Sequence, residues 1–303
     1  MAAGTCVRAP LLKPPSPVPL KMRRFQPIAL TIAGSDSGGG AGVQADLKTF
    51  AVLGVHGTSA ITCITAQNPR LVTGIEPCSP KIVRQQIEAV FAELPPAAVK
   101  TGMLYSAEII RVVAGFFKNI SEGRVTRVPN KKNRDSYNSS FRHVPLVVDP
   151  VMVATSGAKL LKPSAIKALT EELFPLAAII TPNLDETEVL LGRKPVSVEE
   201  MRAAAQALWC CYGCAVLVKG GHLKGSREAV DIFFDGNTEL LLTAPFIRGL
   251  HLHGTGCTYS AAIAGELALG RRLPEAVTRA KQLVTHAIAS SRRIARHTVL
   301  VPS

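Results

Sequence analysis

Short apolar runs recur along this chain, and each breaks off at a polar or glycine-rich segment before a helical pattern begins. Runs of strand length fall at 28–33, 58–65, 97–100, 144–148, 178–181 and 215–218, rich in β-branched and small residues. The spacing of apolar residues predicts helices over 45–53, 80–93, 106–117, 163–173, 199–212 and 274–294, with one more starting near Thr255. Strands that alternate with helices form β-α-β units, so the expected fold is α/β, a mostly parallel central sheet with helices on both faces. Residues 230–234 and 239–243, joined by Asp235-Gly236-Asn237, read as a small β-hairpin.

Ligands of such sheets bind beyond the carboxyl ends of the strands. The residues at those ends therefore matter most. The first run ends in Gly34-Ser-Asp36-Ser-Gly38-Gly-Gly-Ala-Gly42, a loop that brings backbone close to a ligand. Its glycines have neither the spacing of a dinucleotide fingerprint nor the Gly-Lys-Ser/Thr of a phosphate loop. Other strand ends carry Gln67-Asn68, Asp149, Asn183 to Glu186 and Lys219. The last carries His253-Gly254-Thr255-Gly256-Cys257, running straight into a helix of small apolar residues. Gly254 and Gly256 allow successive N–H groups to converge, and the helix start adds its own unpaired donors and positive dipole end, which suits a phosphoryl oxygen. Cys257 at that position is expected to ionise more easily than a free thiol.

Taken singly, each feature has a plainer explanation: a Gly-Thr-Gly turn can be a helix cap, a cysteine a small apolar filler, and Gln67 a turn residue. Shared by one rim, they form a set for phosphoryl transfer. Lys219 supplies a cation for phosphates, Asp149 and Glu186 can hold Mg²⁺ partly through waters, and the 254–257 turn supplies donors with Cys257 placed to take a proton.

Charge narrows the class further. The net charge of +13 looks suited to nucleic acid, but residues 1–25 hold five basic residues and no acid, and residues 118–143 hold seven basic and two acidic. Those two segments account for ten of the thirteen charges, so no nucleic-acid face is expected. The prolines of 1–25 predict a disordered extension, with Met22 a second possible start of translation. The extension's basic, acid-free composition also fits an organellar transit peptide, although its prolines oppose an amphipathic helix. The 118–143 stretch reads as an inserted polar loop, leaving a core domain over 26–295 and a tail over 296–303. No membrane span is expected, and the odd, scattered set of seven cysteines fits a reducing cytoplasm. The Cys-x-x-Cys within Cys210, Cys211 and Cys214 lacks a second ligand pair nearby, and His222 and His251 are expected to line or cap loops.

Seven separated motifs carry a resemblance over about residues 27–290: the Ala33-Gly-Ser-Asp-Ser-Gly-Gly-Gly-Ala-Gly loop, Thr65-Ala-Gln-Asn, Lys100-Thr-Gly-Met-Leu, Val148-Asp-Pro-Val-Met, Thr181-Pro-Asn, Val218-Lys-Gly-Gly-His and His253-Gly-Thr-Gly-Cys-Thr. Together they resemble the hydroxymethylpyrimidine/phosphomethylpyrimidine kinases of thiamine biosynthesis, in the ribokinase-like superfamily. The resemblance implies ATP- and Mg²⁺-dependent phosphorylation of 4-amino-5-hydroxymethyl-2-methylpyrimidine, then of its monophosphate to the diphosphate. It implies that Gln67 reads the pyrimidine edge, with Gly34, Ala41, Asp46, Met103 and Val151 about the substrate. Asn183, Lys219, Thr255 and Gly256 would serve ATP, Asp149 and Glu186 the metal, and Gly254 to Cys257 the moving phosphoryl group. A homodimer is also implied. The 118–143 insertion and the C-terminal Ile294-Ala-Arg-His-Thr-Val-Leu-Val-Pro-Ser depart from the family pattern, which puts tail packing in question rather than chemistry. A pyridoxine or pyridoxal kinase is the alternative, since that group shares the fold and in some members the cysteine turn.

Overall fold

The computed structural model describes residues 25–122, 144–152, 161–221, 223, 228–247, 253–295, 297–300 and 302. All but the last residue of the 1–25 extension, the 118–143 insertion beyond residue 122, His222 and His251 lie outside the described residues. The elements, in order, are β1 (Ile28–Ala33), α1 (Gly42–Val52), β2 (His56–Ile61), β3 (Cys63–Gln67), β4 (Val72–Pro77), α2 (Pro80–Glu93), β5 (Ala98–Thr101) and α3 (Ala107–Ser121). There follow β6 (Leu146–Val148), α4 (Pro163–Ala168), β7 (Ile179–Ile180), α5 (Leu184–Leu191), α6 (Val198–Tyr212) and β8 (Ala215–Gly220). The chain then runs through β9 (Glu228–Phe234), β10 (Glu239–Pro245), α7 (Thr255–Ala268), α8 (Leu273–Ala289), β11 (Arg292–Ile294) and β12 (His297–Val299).

Eight strands form one sheet in the order β10-β9-β8-β7-β6-β5-β1-β2. Every pairing from β8 to β2 is parallel, and only β8–β9 and β9–β10 are antiparallel. The period of two along each strand splits the core between two faces. Leu30, Ile32, Val99, Leu146, Val148, Val216 and Val218 pack with Val83, Ile87 and Phe91 of α2, Phe116 and Phe117 of α3, and Leu208 of α6. Their neighbours Ala29, Ala98, Val147, Ile179 and Leu217 face the other way, onto Phe50 of α1, Ala261 to Ala264 of α7, and Val277 and Ala280 of α8. Small residues along α7 let it lie close: a Cβ on Gly265 would meet Leu53 Cδ1 at 2.5 Å.

Capping explains several helix starts. Ser79, Ser106 and Ser197 each accept an N–H from the first turn, at α2, α3 and α6. At α5, Asn183 and Glu186 form a reciprocal capping box, and Gly192 ends the helix in left-handed geometry.

Four expectations need correction. The run 58–65 is two strands: the backbone leaves the main sheet at Thr62, and β3 pairs antiparallel with β4, which the sequence reading missed. The helix expected over 163–173 is α-helical only to Ala168, then widens into a π-turn over Leu169–Leu173 and tightens to a 3₁₀ turn over Phe174–Leu176. Pro175 has no N–H to continue an α-helical ladder. The segment read as loop from 118 begins as the last turn of α3, whose buried Ile120 extends the apolar face. Finally, α8 stops at Ala289 rather than 294, and Arg292–Ile294 pairs with His297–Val299 as a hairpin.

Candidate active site

Parallel strands bring their carboxyl ends to one edge, and the expected site residues gather there through named contacts. Asp36, just past β1, shapes the glycine loop: its Oδ1 accepts the Gly38 N–H at 2.8 Å, and its Oδ2 accepts those of Gly40 and Ala41 at 3.0 and 2.8 Å. These bonds, reinforced by His253, hold its carboxyl below the usual range although burial works the other way. The loop doubles back tightly enough that a Cβ on Gly42, at φ +56°, would come within 2.4 Å of the Gly34 carbonyl. Gly34 itself lies against β3, where a Cβ would meet Cys63 Sγ at 2.7 Å.

The turn before α7 docks on this loop. Gly254 adopts φ +86°, and a Cβ there would sit 1.8 Å from the Gly40 carbonyl, so only glycine permits the approach. Two residues on, a Cβ at Gly256 would lie 3.3 Å from Lys219 Nζ and 3.9 Å from Asp149 Oδ2. Lys219, Asp149 and the 254–257 turn thus share one spot. Lys219 also bridges Asn183 through a parallel backbone contact.

Asp149 is buried and saturated with donors. Lys219 Nζ reaches its Oδ1 at 2.9 Å, Thr181 Oγ1 the same oxygen at 3.1 Å, and Ser260 Oγ its Oδ2 at 3.2 Å. Burial opposes its charge, but Lys219 and Lys100 outweigh that and lower its pKa. Glu186 differs. Among the described residues its oxygens accept only backbone N–H groups, from Met152 at 3.1 Å and Asn183 at 2.9 Å, and burial with repulsion from Asp149 pushes it up to about 7 in spite of Lys219. No side-chain donor among the described residues hydrogen-bonds this carboxyl. Two carboxylates suffice for Mg²⁺, which usually keeps waters and phosphate oxygens as its other ligands, so the pair fits that ion.

A second buried ion pair lies deeper. Lys100 and Asp46 are fully buried and 2.8 Å apart, with Thr31 donating to Asp46 at 2.6 Å. Asp46, expected beside the substrate, is buried, with its Oδ2 held by Lys100 and Thr31 and its Oδ1 without a hydrogen-bond partner among the described residues. Its nearness to Cys257 is electrostatic. Burial pushes the Cys257 thiol up to about 11; Lys100 and the Gly42 N–H favour the thiolate, while Asp46 and Asp149 oppose it. Against the expected easy ionisation, the thiol is held protonated by lost solvation, although Cys257 as a whole residue is only half-buried.

Gln67 stands at the mouth, its side chain 2.8 Å from His253 Nε2. Thr62 Oγ1 donates to the Met103 carbonyl at 2.7 Å, which brings the Thr101-Gly-Met-Leu segment alongside the glycine loop. Ala41 is buried in that loop. Val151 holds φ +43°, a strained region for a β-branched residue and one that recurs at binding sites. A cleft of about 320 Å³ opens on the outer side of the glycine loop, lined by Asp36, Gly38, Gly40, Pro69, Arg70, His253 and the β12 residues His297 to Val299; Gln67, Lys219, Asp149 and Cys257 are not among its walls. The tail reaches the site because Val299 bridges His253. Sequence reasoning placed Asp36 only as a flank of the glycines, quoted Lys100 and Thr181 within motifs without a role of their own, did not place the tail at the site, and missed Ser260. Asp36's offset before three small-residue N–H groups was the one signal that could have found a member of that set.

The phosphomethylpyrimidine kinase family model matches residues 36–128 and 134–301. The chain belongs to that family. It is a kinase, with ATP as the expected co-substrate. A hydroxymethylpyrimidine/phosphomethylpyrimidine kinase of Rhizobium meliloti is 50% identical over 268 residues, covering 88% of this chain and 92% of that protein. The crystal structure of a phosphomethylpyrimidine kinase from Clostridium difficile aligns with TM-score 0.70 and 43% identity, over 87% of this chain and all (100%) of that one. An ADP complex of Bacillus subtilis pyridoxal kinase aligns with TM-score 0.78 and 36% identity, over 92% of this chain and 98% of that one. Both of these structures share with this chain the mostly parallel ribokinase-like α/β architecture. Backbone shape therefore does not separate pyrimidine from pyridoxal kinases within this fold. Among the described residues, no helix of this family member is long and apolar enough to cross a membrane.

Proposed function

We propose that this chain transfers the γ-phosphoryl group of ATP to 4-amino-5-hydroxymethyl-2-methylpyrimidine, and then to the resulting monophosphate, as a step of thiamine biosynthesis. The observation that carries the reading is the meeting of the 254–257 turn with the Asp36 glycine loop beside Lys219 and Asp149. A phosphoryl group at the turn faces the N–H groups that open α7, with Lys219 Nζ only 3.3 Å from where a Cβ on Gly256 would lie. Gln67 takes the heterocycle edge, and Gly34, Ala41, Met103 and Val151 surround the ring. Asn183, Thr255 and Gly256 serve the nucleotide.

Asp149 and Glu186 would hold Mg²⁺, which when bound supplies positive charge to the triphosphate and relieves both carboxylates of their repulsion. Cys257 accepts the alcohol proton. In the ligand-free protein it is a neutral thiol, so the base forms as the site fills, with Lys100 and Lys219 the resident cations that favour thiolate. Asp46 acts as the counter-ion of Lys100 beneath the substrate pocket.

The likeness to a pyridoxal kinase supports a second reading, pyridoxine or pyridoxal phosphorylation. Phosphorus NMR of products from each substrate with Mg-ATP separates the two. Mono- and diphosphate from the pyrimidine are expected, and phosphorylation of pyridoxal alone would sink the proposal. A cytoplasmic homodimer completes it, supported by the unpaired cysteines 63, 78, 210, 211, 214 and 257 and by exposed Ile64, Leu71 and Val72 on the β3–β4 hairpin. Sedimentation at a mass of one chain would remove the dimer.

A further inference from the structure

His253 Nε2 faces two groups at once, the Gln67 side-chain amide at 2.8 Å and Asp36 Oδ2 at 3.4 Å. A neutral ring nitrogen carries either one hydrogen or one lone pair in that direction. If the Gln67 NH₂ points at His253, the ring must accept there, and its lone pair then also faces the Asp36 carboxylate. The other end of the amide fares no better. Gln67 Oε1 would face Thr65 Oγ1 at 3.3 Å, but that hydroxyl's single hydrogen goes to the Ser35 carbonyl at 2.7 Å.

The two ends of an amide have the same shape, so their partners decide which is oxygen. Exchanging them satisfies every group. His253 Nε2–H then donates to the Gln67 carbonyl and leans towards Asp36. The outer N–H of Gln67 donates to Thr65 Oγ1, and Thr65 donates to Ser35 O. Asp36 is itself fixed by the three loop N–H groups, so the chain of donors has one direction from end to end.

We propose that His253 is a positioning residue which, with Asp36 and Thr65, locks the polarity of the Gln67 amide and so determines which heterocycle edge the kinase accepts. This rests on the reading that Gln67 contacts the substrate edge. The clamp occupies the outer hydrogen and outer lone pair of the amide. Left for a ligand are one N–H and one carbonyl lone pair, side by side in fixed order. A 4-aminopyrimidine edge, a ring nitrogen acceptor beside an amino N–H, matches that order. The 4-oxo analogue, with a ring N–H beside a carbonyl, presents the reverse and leaves both partners mismatched. The locked order also fixes which way round the ring lies, and hence which way its hydroxymethyl group is aimed.

The test compares kcat/KM for 4-amino-5-hydroxymethyl-2-methylpyrimidine and its 4-oxo analogue, using the full chain. His253→Phe keeps a ring but no donor, which frees the amide to reverse, and the amino-to-oxo ratio is expected to fall by roughly tenfold or more. His253→Gln, whose amide can donate in place of the imidazole, should recover much of the ratio. Thr65→Val should lower it as His253→Phe does. Equal losses on both substrates, leaving the ratio unchanged, would overturn the clamp. Independently of activity, ¹⁵N correlation spectra of the ligand-free protein should show His253 protonated on Nε2, and a proton on Nδ1 alone would refute the assignment even if His253→Phe fails to fold. Gln67→Leu separates the two levels: a wild-type ratio in that variant removes Gln67 from the substrate edge, whatever the tautomer shows.

Discussion

Replacing Gly254 by alanine tests the docking of the two glycine loops most directly. The new Cβ would lie 1.8 Å from the Gly40 carbonyl oxygen, and 3.3 Å from the Ala41 Cα. The first of these is backbone against backbone, so no side-chain rotation relieves it; the turn and the Asp36 loop must part by more than about 1 Å to reach ordinary contact. The residue also holds φ +86°, which costs a non-glycine residue about 1 kcal/mol. Gly270 provides the control: it has φ +84° with nothing within 4 Å of a built Cβ, so Gly270→Ala carries the conformational strain without the collision. A displacement of this size at reacting groups is expected to lower kcat on the order of a hundredfold, about 2.7 kcal/mol of barrier. Steady-state kinetics and thermal melts on both variants give the comparison. Gly270→Ala should lose only stability, and Gly254→Ala should lose turnover well beyond its loss of stability. Similar kcat in the two variants would refute the claim that this contact sets the turn.

Lys219→Met should raise the KM for ATP, lower kcat, and destabilise the fold by about 3 kcal/mol, because it strands the buried Asp149; calorimetry should find part of that stability restored by adding Asp149→Asn. Glu186→Gln should flatten the pH dependence of stability while keeping the helix cap. With a folded pKa near 7 against an ordinary 4.5, Glu186 stabilises the fold below pH 4.5 and loses that contribution as pH rises through 7; thermal melts showing no such decline relative to the variant would contradict its burial. Cys257 should resist iodoacetamide at pH 7 while exposed Cys210 and Cys211 react, with its rate climbing towards pH 11; peptide mapping that finds equal labelling at neutral pH would refute the raised pKa. Cys257→Ala should lower kcat far more than ATP affinity, and equal losses in both would make the thiol structural.

The chain wrote its regular elements plainly. β1 and α2 occupy the expected 28–33 and 80–93, the latter because Ser79 and Pro80 mark the helix start unambiguously. The rim was legible for the same reason: parallel strands put their ends on one side, so Gly34, Asp149, Asn183 and Lys219 had to be neighbours. What escaped depends on long-range partners. Asp46 looks like a helix carboxylate beside the glycine loop until Lys100, 54 positions away, takes it into the core. The helix start before Cys257 argues for an acidic thiol, and only the packed site reveals how much water the sulfur has lost. Arg292–Ile294 has the apolar spacing of a helix continuing, and a hairpin with the following residues competes successfully for its backbone.

That hairpin bears on how the protein is handled. Because β12 walls the cleft and Leu300 is buried, a fusion partner or affinity handle joined after Ser303 begins only a few residues from the site. Fusions carrying their label at the opposite terminus keep that wall undisturbed, and a comparison of the two would show how far the terminal strand governs access.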